Sequence, residues 1–221
     1  MIVASACLVL ALELAVVGWP ASSLRRLLRP RTSEIADLAL FFVFAAGLTG
    51  LATLVCSLGL SALVERSTAM YLPSKAGTGS LLGCLLYLIL MDFALYWLHR
   101  AQHSPLLWRF HKLHHNAERL NPLVVHRVNP ADLTFNAIPR AFALMAAVPS
   151  PTALAILTAA IGIHSLLIHT TLPWTYGRWG KWLLISPAAH QVHHSFDPVY
   201  YNRNFGSMLP IWDRLFGTWA L

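Results

Sequence analysis

Long apolar runs separated by short basic stretches set the plan of this chain. The runs are Ile2–Val17, Leu38–Val64, Gly79–Leu98 and Ala137–Leu172, the last interrupted by Pro149-Ser150-Pro151. A bilayer core of roughly 30 Å needs about 20 apolar residues of helix. The second and third runs meet that need and are expected to cross a membrane. The first is shorter and could be mistaken for a cleaved leader. No basic residue precedes it, however, Glu13 sits inside it and the arginines follow it, so it reads as an anchor. In the fourth run the prolines remove a backbone donor and clash with the preceding turn. The expectation there is a hairpin that dips into the membrane and returns; the competing form is one long tilted helix.

Composition agrees with a membrane protein. The chain is 57% hydrophobic and 11% charged, with mean hydropathy +0.57, whereas soluble domains carry about 25% charged residues. Arg25, Arg26, Arg29 and Arg31 fill the first loop, which the excess of positive charge in cytoplasmic loops assigns to the cytoplasm. The weakly charged loop from Arg66 to Gly79 then faces the other side. The third run returns the chain to the cytoplasm, where Arg100 to Arg127 holds five basic residues against one acid, Glu118. The net charge of +7 flanks apolar segments, as anionic headgroups require, and no nucleic-acid motif accompanies it. Cys7, Cys56 and Cys84 lie inside apolar runs without paired spacing and read as small buried hydrophobes. Tyr96, Trp97, Trp108, Trp174, Trp179, Trp182 and Trp212 read as an interfacial aromatic belt. With no repeat or low-complexity linker, residues 1–221 are expected to form a single membrane-embedded domain, with N-terminal transmembrane helices in 1–90 and a catalytic core in 91–221.

The histidines carry the chemistry. Eight of eleven fall in three clusters: His99 and His103; His111, His114 and His115; His190, His193 and His194. Helical residues three and four apart share a face, with Cβ atoms roughly 5–6 Å apart, so each cluster is expected to aim its imidazoles at one spot. Neutral imidazole is a common ligand of iron, zinc and copper. The third cluster must join the first two, and only the hairpin reading of Ala137–Leu172 brings all eight to one side of the membrane.

From Asp92 to the C-terminus the chain resembles the sterol desaturase / fatty acid hydroxylase superfamily. The resemblance rests on Asp92-Phe-Ala-Leu-Tyr-Trp-Leu-His99-Arg100, Leu107-Trp-Arg-Phe-His111-Lys-Leu-His114-His115-Asn116 and His169-Thr-Thr-Leu-Pro173. It continues through Ser186-Pro-Ala-Ala-His190-Gln-Val-His193-His194-Ser195, Asn204-Phe-Gly206 and Ile211-Trp-Asp-Arg-Leu-Phe-Gly-Thr-Trp219. The first ninety residues match only in hydropathy. The resemblance implies an all-α integral membrane protein: about three transmembrane helices plus a helical hairpin, and a cytosolic helical cap holding a histidine-rich di-metal site. It implies an O₂-dependent, non-haem di-iron enzyme that hydroxylates or desaturates an alkyl C–H of a lipid, with zinc able to occupy the same ligands on overexpression. A separate ferredoxin- or cytochrome b5-type protein would supply electrons.

The resemblance also adds His169 to the eight as a ligand. His126 stands three residues before Asn129-Pro130, where many members of the superfamily have a histidine just ahead of the proline. Either His126 or Asn129 is therefore expected to complete one metal's shell. His164 is five residues before His169, about 500° of helix and some 140° away, and reads as packing. Asp92 and Asp213 are expected to hold ligand histidines from behind, salt bridges to Arg100 or Arg214 being the competing role. A membrane zinc hydrolase, a haem electron carrier and a non-catalytic metal-binding or transport protein are the rival functions. The first lacks a glutamate beside its histidines, the second needs far fewer of them, and the third would place its ligands near the bilayer midplane.

Overall fold

A computed structural model describes residues 2–47, 80–147 and 149–221, and all of its regular structure is helical. Three described helices are long and apolar enough to cross a membrane: α1 (Ile2–Ala21), α4 (Leu81–Gln102) and α7 (Pro151–Ile168). They leave large apolar side chains such as Leu8, Leu12, Leu81, Leu82 and Ile156 exposed, as lipid-facing helices do. Most of the second apolar run, the Arg66–Gly79 loop and Cys56 lie outside the described residues. The run's beginning belongs to α3 (Thr32–Ala45), and the short α2 (Ser23–Leu28) links it to α1.

The fourth run is two helices, α6 (Pro130–Ala146) and α7. The break follows from local chemistry. Pro149 and Pro151 disfavour helix in the residue before each, Ser150 Oγ accepts from Ala153 N at 3.2 Å, and Pro151 opens α7 at a position where no donor is needed. The expected hairpin is therefore the observed form. α6 leaves the histidine cluster at Asp132, whose carboxylate meets His111, and α7 returns to it at His169, beside His114.

Two apolar cores hold the helices together. Tyr87, Met91 and Leu95 of α4 pack with Ala143 and Ala147, and with Leu154, Leu157 and Ile161 of α7. Ala6 and Val9 of α1 pack with Leu27, Phe41, Leu123 and Leu166. A buried ion pair adds to the second core. Arg127 reaches Asp37 Oδ1 at 2.9 Å while its other nitrogens donate to the carbonyls of Leu113, at 3.2 Å, and Asn116, at 3.0 Å. A desolvated guanidinium is tolerated only when its donors are met in this way. It ties α3 to α5 (Trp108–His115), which carries the second histidine cluster.

Trp97, Trp108, Trp179 and Trp182 are exposed, as a belt requires. Tyr96 is not part of one. It is fully buried, with its hydroxyl 3.0 Å from Thr218 Oγ1, where it also accepts from Arg100 at 3.1 Å. Its helical face turns toward the C-terminal segment, so its ring serves as core.

Candidate metal centre

Helix ends deliver the histidines. His99 lies in the last turn of α4 and His103 is its C-cap. α5 holds His111, His114 and His115. Past the short α8 (Gly177–Trp182), α9 (Pro187–His193) starts cleanly because Ser186 Oγ accepts from Ala189 N and Pro187 opens the first turn. It carries His190 and His193, with His194 as its C-cap, and His169 caps α7.

The rings form two adjoining groups. His99, His103, His111, His115 and His193 make one; His114, His169, His190 and His194 make the other; in each, one nitrogen per ring lies within 4.8 Å of all the rest. The rings of His115 and His194 stack across the boundary, with centroids 4.4 Å apart at 21°. The expectation of one spot per cluster is therefore corrected. On a helix the first and fifth positions differ by about 40°, while the fourth lies about 100° from the fifth. Accordingly His111 and His115 serve one group and His114 the other, and His190 and His194 serve one group while His193 crosses to the other.

The nitrogens are spaced as ligands of a shared cation. Nε2 of His115 is 3.1 Å from that of His103 and 3.2 Å from that of His111. Nε2 of His169 is 3.2 Å from that of His114 and 3.0 Å from that of His190, which is itself 3.1 Å from that of His194. Two nitrogens bound at about 2.1 Å and at right angles to one ion stand about 3.0 Å apart. Protons shared between the rings can satisfy this arrangement only in part. Nδ1 of His169 donates to Ser165 O at 2.6 Å, which leaves a lone pair on its Nε2 facing two other nitrogens. Nδ1 of His99 donates to Phe205 O and that of His193 to Arg203 O, both at 2.8 Å, and the Nε2 of each ring is buried without a hydrogen-bond partner. A bare buried lone pair costs about 1–3 kcal/mol unless a Lewis acid meets it. Burial, reinforced by the neighbouring rings, pushes His103 down to about 3 and His114, His115, His190, His193 and His194 well below the ordinary histidine value. These rings are neutral and offer lone pairs. The residues fit two metal ions.

The acids behind the rings differ from expectation. Asp132, at the start of α6, accepts from His111 Nδ1 at 3.0 Å, and Gln102 and Asn136 hold its other oxygen. It is the carboxylate that pairs with a cluster histidine among the described residues. Its partner is 21 residues away, so no local spacing announces it. Asp92 instead accepts from the Met208 and Leu209 amides and from Trp212 Nε1, at 2.9, 3.0 and 2.9 Å. Asp213 accepts from the Phe205 and Gly206 amides and Thr218 Oγ1, at 2.7, 2.8 and 2.7 Å. Neither acid is hydrogen-bonded to a histidine ring or forms an ion pair with Arg100 or Arg214. Both fold the C-terminal segment, and Asp213 acts on His99 only through the Phe205 backbone.

His126 and Asn129 are not brought into either group. The 3₁₀ turn Pro122–His126 lays the His126 ring against Phe41 and Phe44, with centroids 5.4 and 4.3 Å away. Asn129 Oδ1 accepts from Ala131 N at 2.9 Å and caps α6. His164 is buried outside both groups.

Comparison with known proteins shows the family to which this stretch of chain belongs. The fatty acid hydroxylase family profile matches residues 84–218, which include all nine grouped histidines and Asp132. An ornithine lipid hydroxylase of Rhizobium tropici is 36% identical over 138 residues, covering 61% of this chain and 40% of its own length. An alkylglycerol monooxygenase of Xenopus tropicalis is 32% identical over 134 residues, 59% of this chain and 29% of its own length. A Delta(7)-sterol 5(6)-desaturase of Aspergillus fumigatus is 29% identical over 151 residues, 63% of this chain and 38% of its own length. The chain thus spans well under half the length of these curated relatives. No solved structure matches it. On the profile match, which takes in more than half of its length, the chain belongs to the fatty acid hydroxylase family.

Proposed function

We propose that this chain is an O₂-dependent di-iron enzyme that hydroxylates or desaturates an alkyl C–H bond of a membrane lipid. The observation that carries the reading is the pair of adjoining groups, five and four imidazoles, with nitrogens spaced as ligands of two ions. Iron bound at both would supply the redox chemistry that couples reduction of O₂ to oxidation of the lipid. The chain's own residues do the rest. His99, His103, His111, His115 and His193 would hold one ion; His114, His169, His190 and His194 would hold the other. Phe205 O, Arg203 O and Ser165 O keep three of the rings in the tautomer whose Nε2 is free to bind. Asp132 returns negative charge to His111 and raises its basicity as a ligand. Seven of the nine are buried and His99 and His103 are half-buried, which limits the access of bulk water to the reacting atoms.

The lipid would approach along the apolar exposed faces of α4 and the hairpin. Relatives named for ornithine lipid, alkylglycerol and sterol share alkyl C–H bonds in membrane molecules, and the substrate class is drawn from that. Electrons would come from a separate ferredoxin- or cytochrome b5-type protein on the cytoplasmic face, the side on which the arginine-rich loops would put the centre. Residues 1–221 would act as one membrane-embedded unit, and zinc would fill the same ligands when iron is scarce.

The test is lipid profiling of cells expressing the chain or its His115→Ala variant. One lipid class should gain an oxygen atom or lose two hydrogen atoms with the unaltered chain and not with the variant. Fully active protein with fewer than two metal ions per chain would exclude the di-iron reading.

A further inference from the structure

Glu13 stands inside an apolar helix that is long enough to cross a membrane, about one turn before the kink at Gly18. A carboxylate in such a place is costly and marks function more often than accident. Ala6, Val9 and Glu13 are the buried residues of α1, and their spacing of three and four puts them on one stripe. Ala6 and Val9 pack in the core that includes Leu166 of α7. One turn further on, Glu13 meets the segment that leaves the end of α7.

The carboxylate is fully buried and its oxygens are met by four donors. Thr171 gives its amide at 2.9 Å and its hydroxyl at 2.6 Å; Ser23 gives its amide at 3.1 Å and its hydroxyl at 2.9 Å. Arg26 in turn donates to Ser23 Oγ at 2.8 Å, which sets a positive charge near the acid without a direct ion pair. Thr171 is two residues past His169. The same strand of chain is gripped from its other side by Gln191, whose Nε2 donates to the carbonyls of Thr170 and Leu172 at 3.1 and 2.9 Å. Gln191 follows His190, and Nε2 of His190 is 3.0 Å from that of His169.

We propose that Glu13 is a positioning residue of the four-histidine group: by fixing Thr171 it holds His169 in register with His190. The proposal rests on the metal-centre reading above. It makes the N-terminal helix part of the centre, although Glu13 lies outside residues 84–218, the stretch that the family profile matches. Among the described residues, no hydrogen bond joins Glu13 to a segment next to a ligand of the five-histidine group in this way. Removing the carboxylate should therefore loosen one metal position and spare the other. Loss of general stability would loosen both.

The experiment measures iron and zinc bound per chain in full-length protein purified in detergent, before and after a fixed chelator challenge. The unaltered chain should keep two ions and Glu13→Ala one. Adding His190→Ala to Glu13→Ala should leave that one ion in place. Adding His111→Ala should remove it. Glu13→Gln is the second variant, should Glu13→Ala not accumulate. Its N–H is set against the Ser23 amide N–H, which pushes the side chain away and weakens its hold on Thr171, so one ion should leave faster than in the unaltered chain and the other at the same rate. Retention of both ions by the Glu13 variants, or equal loss of both, would overturn the proposal and leave the metal centre standing. An unaltered chain that binds no metal when supplied with iron would overturn both.

Discussion

At the scale of single residues, nine imidazole ligands would leave the charge of two bound cations largely uncompensated, and Asp132 is the acid placed to answer part of it, behind His111. Asp132→Asn keeps the volume and removes the charge behind His111. Loss of such a carboxylate typically costs 10–100-fold in metal affinity, so one ion per chain should be lost to a chelator at correspondingly lower concentration. Unchanged retention would show that the pair only packs. Protons compete for the same nitrogens. In the folded protein His103 is held at about 3, whereas an unfolded histidine titrates at roughly 6.5. A lowered value means that the unfolded chain takes up protons which the folded chain refuses. Metal-free protein should therefore be fully stable above roughly pH 6.5 and lose stability as pH falls from there toward 3. Thermal unfolding in detergent across that range checks the sign, and a flat or rising midpoint on acidification would contradict it.

At the scale of elements, the helical spacing of the boxes is plain in the chain, and so is the break at Pro149-Ser150-Pro151, because both depend on neighbours within a turn or two. What spacing does not reveal is the exchange of His114 and His193 between groups. That depends on how α5 and α9 face each other, which is a tertiary matter. The same holds for Asp132, whose histidine partner is brought to it by the packing of α6, and for His126, which stands near the site in sequence but is turned onto Phe41 and Phe44. Glu13 shows the converse: it could be read as evidence against a leader peptide, while its contact with Thr171 across 158 positions was hidden. The C-terminal segment offers a test of element-level support. A Cβ at Gly206 would stand 2.7 Å from Leu209 O and 2.8 Å from Asp213 Oδ2, so Gly206→Ala must push Asp213 off the Phe205 and Gly206 amides. Overpacking of this kind costs about 1–3 kcal/mol. The unfolding midpoint should fall, and because Phe205 O holds His99, the ion of the five-histidine group should be released first. An unchanged midpoint would mean that the segment yields freely.

At the scale of the whole molecule, a membrane protein can gather nine ligands from four helices only if every one of those helices presents its ligand-bearing end to the same side. α4 ends at His99 and His103, α7 ends at His169, and α1 reaches the same end through Glu13 and Thr171. The hairpin is what makes this possible, since a single crossing between Ala137 and Leu172 would put α5 and α9 on opposite faces. The prediction follows directly. In a chain with Cys7, Cys56 and Cys84 changed to alanine, the exposed positions Glu118 and Lys181 lie before and after the hairpin, Thr152 lies exposed at its turn, and Val3 lies exposed near the far end of α1. Each is replaced by cysteine in turn and treated with a membrane-impermeant maleimide. Glu118→Cys and Lys181→Cys should react from one and the same side, the cytoplasmic one if the arginine bias orients the chain. Val3→Cys should react only from the other, and Thr152→Cys should not react together with the first pair. Opposite sidedness of Glu118 and Lys181 would separate His111, His114 and His115 from His190, His193 and His194 by the thickness of the bilayer, and no shared two-metal centre could survive that result.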